Sequence, residues 1–162
     1  MQQQVLVLTT GGTIDKVYFD AKSTYSVGEP QIAGILQRVG AMFPYKIETI
    51  LRKDSLDLTD DDRALIRRRI LETPQKRILI THGTDTMIDT ARLLADVHDK
   101  TIVLVGSLMP ARFKATDAEF NIGFALAAVQ MLSEGVYVAM NGRIFDPLHT
   151  QKNESKNRFE DR

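Results

Sequence analysis

A chain of 162 residues with 21 lysines and arginines against 21 aspartates and glutamates has no net charge. No global field therefore draws it to nucleic acid or to an anionic membrane, and a small or neutral ligand is the natural partner. The absence of cysteine excludes disulfides, thiolate metal sites and a cysteine nucleophile together.

The length suits one domain with a real core and is short for two. Met1-Gln2-Gln3-Gln4 lacks a basic flank, and the apolar run Val5 to Leu8 is too short for a signal segment or a membrane span. Cytoplasm is the expected compartment, with a processed, cysteine-free periplasmic protein as the alternative.

Val5 to Leu8 is a continuous β-prone run ending in Thr9-Thr10-Gly11-Gly12, the pattern of a strand buried on both faces and then a turn. It delivers Thr13 to the strand's carboxyl end. Ile14 to Gly28 shows no helical period and many polar residues, which predicts a long loop carrying Tyr25. Pro30 can open a helix whose apolar stripe is Ile32, Ile35, Leu36 and Val39, closed by Gly40. Lys46 to Leu51 alternates as a second strand and runs out into Lys53-Asp54-Ser55-Leu56-Asp57.

Thr59 caps the next helix, with Asp60, Asp61 and Asp62 in its first turn and Arg67, Arg68 and Arg69 later. That order follows the helix dipole and is weak evidence for a basic patch. Arg77 to Ile80 is the third strand and delivers Thr81 to Thr86; the following helix stacks Met87, Ile88, Ala91, Leu94 and Ala95 on one face. Ile102 to Val105 is the fourth strand, ending in Gly106-Ser107-Leu108-Met109-Pro110.

A helix from about Asp117 to Leu132 carries Phe120, Phe124, Ala127, Ala128 and Met131 on one side. Ile122, Leu126 and Val129 widen its apolar surface, which asks for a second burial partner. Val136 to Met140 is the fifth strand, and the polar residues beyond Phe145 predict a frayed end unless a partner or ligand holds it.

Strands alternating with helices five times predict a three-layer α/β/α fold with a mainly parallel, Rossmann-like or flavodoxin-like sheet. Residues 1–146 form its single domain, and 147–162 form a polar tail. With the common strand order 2-1-3-4-5 the switch point lies between the first and third strands, so Thr13 and Thr84-Asp85 face each other across the crevice.

Each motif has an ordinary explanation when taken alone. Gly11-Gly12 lacks the Gly-Lys-Ser/Thr of a phosphate loop and the third glycine of a dinucleotide site. Thr84, Asp85 and Thr86 suit a helix N-cap, and both Thr86 with Asp89 and Thr116 with Glu119 have capping-box spacing. His82 has no second ligand at helical spacing and reads as structural, so neither metal nor cofactor is expected.

The combination points further. Thr10-Gly-Gly-Thr-Ile14, the Ser-Thr-Tyr-Ser-Val-Gly around Tyr25, Asp54-Ser55, Thr81-His-Gly-Thr-Asp-Thr-Met87, Gly106-Ser-Leu-Met-Pro110 and Asp117-Ala-Glu-Phe-Asn121 follow the order seen in the bacterial-type L-asparaginases. The chain resembles the amino-terminal domain of that family over nearly its whole length.

The resemblance implies hydrolysis of L-asparagine to L-aspartate and ammonia. Thr13 is then the nucleophile, leaving a β-aspartyl ester for water to cleave, and Tyr25 closes over the site and helps take the threonine proton. Thr84, Asp85 and Lys152 match a second cluster, in which lysine and hydroxyl relay a proton; the resemblance does not divide the steps between the clusters. Ser55 matches the residue that holds the substrate α-carboxylate and Asp85 the one that pairs with its α-ammonium. Gly83, Leu56 and Ser107 line the site, and the backbone N–H groups of Thr13 and Thr84 suit an oxyanion.

Two departures bear on affinity. Leu56 stands where many members carry a polar side chain, and the family's carboxyl-terminal domain is absent from the sequence. The expectation is low affinity with asparagine preferred to glutamine, in a homodimer that buries the broad helix near Phe124. The competing class is a non-catalytic amino-acid sensor.

Overall fold

The computed structural model describes residues 3–19, 21 and 23–162. The first apolar run becomes β1 (Val5–Gly11), buried along its whole length. A hairpin follows, β2 (Lys16–Phe19) against β3 (Thr24–Val27), and then α1 (Ile32–Arg38), β4 (Tyr45–Lys53), α2 (Asp60–Glu72) and β5 (Arg77–Thr81). The chain continues through α3 (Met87–Leu93), β6 (Thr101–Val105), α4 (Ala118–Met131), β7 (Gly135–Met140) and β8 (Arg143–Phe145) to a second hairpin, β9 (Thr150–Asn153) with β10 (Arg158–Asp161). Among the described residues, no helix is long and apolar enough to cross a membrane.

The main sheet runs β4-β1-β5-β6-β7-β8. Its first five strands are parallel and in the expected order, and β8 adds an antiparallel edge. β1 lies between β4 and β5, pairing Val5 with Tyr45 on one side and Arg77 on the other. Burial of Val5 to Leu8, Ile78 to Ile80 and Ile102 to Val105 forms the centre of the core. Each such side chain stabilises the fold by about 1.5–3 kcal/mol relative to exposure.

The helices cover both faces. Arg38 of α1 pairs with Glu119 of α4 on one side, and Arg67 of α2 reaches the Leu93 carbonyl at the end of α3 on the other. α2 starts as its sequence dictates: the Thr59 hydroxyl accepts the Asp62 N–H at 3.2 Å, while the Asp62 carboxylate accepts the Thr59 N–H at 2.9 Å. α3 starts differently. The Thr86 hydroxyl donates to the Ser55 carbonyl at 2.8 Å, so the Thr86 and Asp89 capping box does not form.

Four expectations are corrected. The expected loop is in part a β-hairpin, formed by residues 16–19 and 24–27, while 20 and 22 lie outside the described residues: Val17, Tyr18 and Phe19 pair antiparallel with Ser26, Tyr25 and Thr24, and the Tyr18 and Tyr25 rings meet at 5.2 Å. Cross-strand aromatic contact supplies what a search for helical period misses. The polar end is likewise ordered, because Phe159 on β10 is buried against Phe145, with ring centroids 6.0 Å apart.

α4 turns Ala118, Ile122, Ala125 and Val129 to the sheet and leaves Phe120 and Met131 outside, so its aromatic stripe is not the core-facing one. Val39 and Ala95 also leave their apolar stripes for solvent, each lying just beyond the end of its helix.

Candidate active site

The crevice sits at the carboxyl ends of β1, β4 and β5, where three turns press together. Gly12 follows β1 with φ 87°, a conformation that L side chains rarely adopt, and a Cβ there would lie 2.4 Å from the Gly83 Cα. A Cβ on Gly83 would in turn lie 2.6 Å from the Ser55 Oγ. The two glycines let the turns touch backbone to backbone, which sets Thr13, Ser55 and Thr84 along one rim. Gly83→Ala is expected to destabilise the protein by about 3 kcal/mol in urea unfolding; an unchanged midpoint would contradict this contact.

Thr13 opens a short 3-10 turn, Thr13–Asp15, and is half-buried. Among the described residues its hydroxyl has no hydrogen-bond partner, which leaves it available to a ligand. Across the crevice the Lys152 amine donates to the Thr84 hydroxyl at 3.0 Å and pairs with the Asp85 carboxylate. Thr84 is buried and the Lys152 side chain is 8% exposed, while Asp85 remains one-third open. Residues far apart in sequence thus form one charged, largely enclosed cluster.

Ser55 opens the turn after β4 and is buried; its hydroxyl accepts the Thr86 N–H at 3.3 Å. Its proton has no acceptor among the described residues, as a donor to a carboxylate requires. Leu56 beside it is 70% exposed and offers no polar group.

Residues 4–160 match the family described as Asparaginase, N-terminal. The chain belongs to the asparaginase family. It is 36% identical over 151 residues to an L-asparaginase of Thermococcus kodakarensis, covering 87% of this chain and 45% of that one. It is 32% identical over 158 residues to a glutaminase-asparaginase of Acinetobacter glutaminasificans, covering 89% of this chain and 48% of that one. The solved structure of the thermostable Thermococcus kodakarensis L-asparaginase matches with TM-score 0.82 and 31% identity, over 98% of this chain and 51% of that one. The chain spans about half the length of the curated relatives it matches.

Against the asparaginase pattern, the structure brings Thr84, Asp85 and Lys152 together and stands Thr13 and Ser55 beside them. The Tyr25 ring is half-exposed on β3, rests 6.1 Å from the Phe113 ring and makes no hydrogen bond to the Thr13 hydroxyl. Ser107 is buried, and its hydroxyl donates to the Met109 carbonyl at 2.5 Å, so it shapes its own turn.

The sequence singled out the phrase from Asp117 to Asn121 but not its role, which is to hold these turns. Asp117 accepts the N–H groups of Leu108 and Met109 at 3.0 and 3.1 Å, and Asn121 donates to Asp117 at 2.8 Å and to the Gly106 carbonyl at 3.0 Å. Asn121 is fully buried on the sheet side of α4. A polar residue on an apolar helical face is the signal that would have found it.

His82 is held by the Thr90 hydroxyl at 2.8 Å and the Gly83 carbonyl at 2.7 Å, and Arg63 donates to the same Thr90 hydroxyl. Thr90 therefore donates to Nε2, and Nδ1–H donates to Gly83. Burial pushes the His82 pKa down to about 4, so the ring is neutral.

Asp15 was also missed. Its carboxylate accepts the Gln31 N–H at 2.8 Å, and its carbonyl accepts the Gly28 N–H at 2.8 Å, so it joins both ends of the hairpin that carries Tyr25. Burial pushes its pKa up to about 7, against the opposing pull of the Gln31 N–H, Arg52 and Arg112.

Proposed function

We propose that this chain is an L-asparaginase-type amidohydrolase working through a threonine nucleophile. The observation that carries the reading is the Lys152, Thr84 and Asp85 cluster set against the turn that presents a free Thr13 hydroxyl.

The Thr13 oxygen attacks the side-chain amide carbon of asparagine. The hydroxyl proton passes to the leaving nitrogen, the C–N bond breaks, and ammonia departs from a β-aspartyl ester. Water then attacks the ester carbon and returns a proton to the Thr13 oxygen, releasing aspartate. Lys152 and the Thr84 hydroxyl pass these protons, and Tyr25 helps take the proton of Thr13. The substrate zwitterion is met by a hydroxyl donor at Ser55 and a carboxylate at Asp85.

Leu56 adds no hydrogen bond, so substrate affinity is low and the loss falls mainly on KM. Asparagine is the preferred substrate, and glutamine is the second one to test, given the relatives named glutaminase-asparaginase. Ammonia release from each amino acid at millimolar concentration tests the reading. Asparagine turnover above background is expected; calorimetric binding of aspartate with no turnover would instead make the chain an amino-acid sensor.

The proposal includes a homodimer. Phe120, Phe124, Ala127 and Met131 form an outward stripe on α4, in which the Phe120 and Phe124 rings stack with centroids 6.5 Å apart. Sedimentation is expected to give twice the 18.2 kDa chain mass, falling to the chain mass in Phe120→Asp/Met131→Asp. A wild-type monomer at assay concentration would refute it.

A further inference from the structure

Lys152 reaches Thr84 and Asp85 from a hairpin, and besides Lys152 itself the Arg92 side chain ties the segment that leads into that hairpin to α3. Arg92 is the penultimate residue of α3, the helix that starts just after Thr84 and Asp85. Its Nε donates to the Pro147 carbonyl at 2.9 Å and its Nη2 to the Thr150 carbonyl at 2.9 Å. These carbonyls bracket the turn Pro147–His149 that leads into β9, and Thr150 lies two residues before Lys152.

Pro147 and Thr150 are both buried, so water cannot readily replace the guanidinium at their oxygens. Lys152 apart, the other hydrogen bonds and ring contacts of the segment named here are internal to the chain beyond Phe145 or reach β8. The Thr150 hydroxyl donates to Asp146, the Arg162 N–H donates to His149, and Phe159 packs on Phe145. Among the described residues the two Arg92 bonds are the only hydrogen bonds from α3 to this segment.

We propose that Arg92 is the positioning residue of the Lys152 relay. Its guanidinium fixes the hairpin at the carboxyl end of α3, and so holds the Lys152 amine on the Thr84 hydroxyl and Asp85 carboxylate at the other end of the same helix. A planar fork with donors at fixed spacing can satisfy two carbonyls at once, whereas a lysine ammonium is a point charge on a flexible stem. The inference rests on the amidohydrolase reading for its kinetic consequence, but not for its structural one.

The test pairs kinetics with competitive acetic anhydride labelling of the lysines, read by mass spectrometry with exposed Lys76 and Lys114 as internal standards. In Arg92→Met, Lys152 labelling rises several-fold and kcat for asparagine falls by about 10–100-fold. KM changes less than kcat, because Ser55 and Asp85 are not themselves replaced. Arg92→Lys falls between the two, and Arg67→Met, which removes a tie between α2 and α3, leaves Lys152 labelling as in the wild type.

Unchanged Lys152 labelling in folded Arg92→Met overturns the proposal, as does an equal rise in Arg67→Met. A rise in labelling without loss of kcat overturns the relay role. If Arg92→Met does not fold, Arg92→Lys is judged by the same criteria. A wild type that releases no ammonia defeats the amidohydrolase reading alone, since the labelling still decides whether Arg92 holds Lys152.

Discussion

Thr13→Ala is expected to lower asparagine-dependent ammonia release by about 10³-fold or more, with unfolding free energy changed by no more than about 0.5 kcal/mol. The two readouts separate because the Thr13 hydroxyl has no hydrogen-bond partner among the described residues. Removing it orphans no group and opens no core cavity. Lys152→Met is expected to fall to a similar residual rate, and the double variant to fall no further, since groups that act in one step are not additive. Equal rates in wild type and Thr13→Ala would end the nucleophile assignment, whatever the fate of Lys152.

Asp15→Asn is expected to stabilise the protein at pH 8 and to remove one contribution to the pH dependence that the wild type shows. The folded-state pKa of Asp15 is raised from 3.8 to about 7, so the folded chain holds this proton more tightly than the unfolded chain. Its stabilising contribution is complete below the unfolded value and is lost as pH rises through about 7. A shift of that size corresponds to about 4 kcal/mol.

The amide in Asp15→Asn keeps an oxygen acceptor for the Gln31 N–H and carries no charge to be buried, which outweighs the lost attraction to Arg52 and Arg112. Urea unfolding of the wild type should therefore weaken relative to that of Asp15→Asn between pH 5 and 8, because the gain that neutral, buried His82 brings as pH rises from about 4 to 6.5 is common to both. At pH 8 the variant should be more stable by about 2 kcal/mol, or roughly 6 °C in melting temperature. Parallel pH profiles for the two proteins would show that Asp15 ionises normally.

The strand order could be read from sequence because each buried run, from Val5 to Leu8 through Val136 to Met140, is separated from the next by helix-forming residues. Parallel strands so connected have few alternatives. The opposition of Thr13 and Thr84 followed from the switch point between β1 and β5, and their contact through Gly12 and Gly83 followed only from backbone conformation.

What escaped had no periodic signal. Phe159 is one apolar residue among charges, yet its ring on Phe145 orders the last hairpin. Arg92 meets two backbone carbonyls more than 50 residues away, and a carbonyl leaves no mark in a sequence. Tyr25 was legible as a residue of the segment over the site, but nothing in its surroundings in the chain told that its ring would lie against Phe113.

The glycine contact between the turns also divides the crevice into parts that evolution or design can and cannot rewrite. Positions 12 and 83 admit no side chain without parting the Thr13 turn from the Thr84 turn, so they are closed to any specificity library. Leu56 is 70% exposed on the same rim. A new side chain there leaves the scaffold alone, and on the proposed amidohydrolase reading it is the position from which selectivity between amides of different length would be retuned.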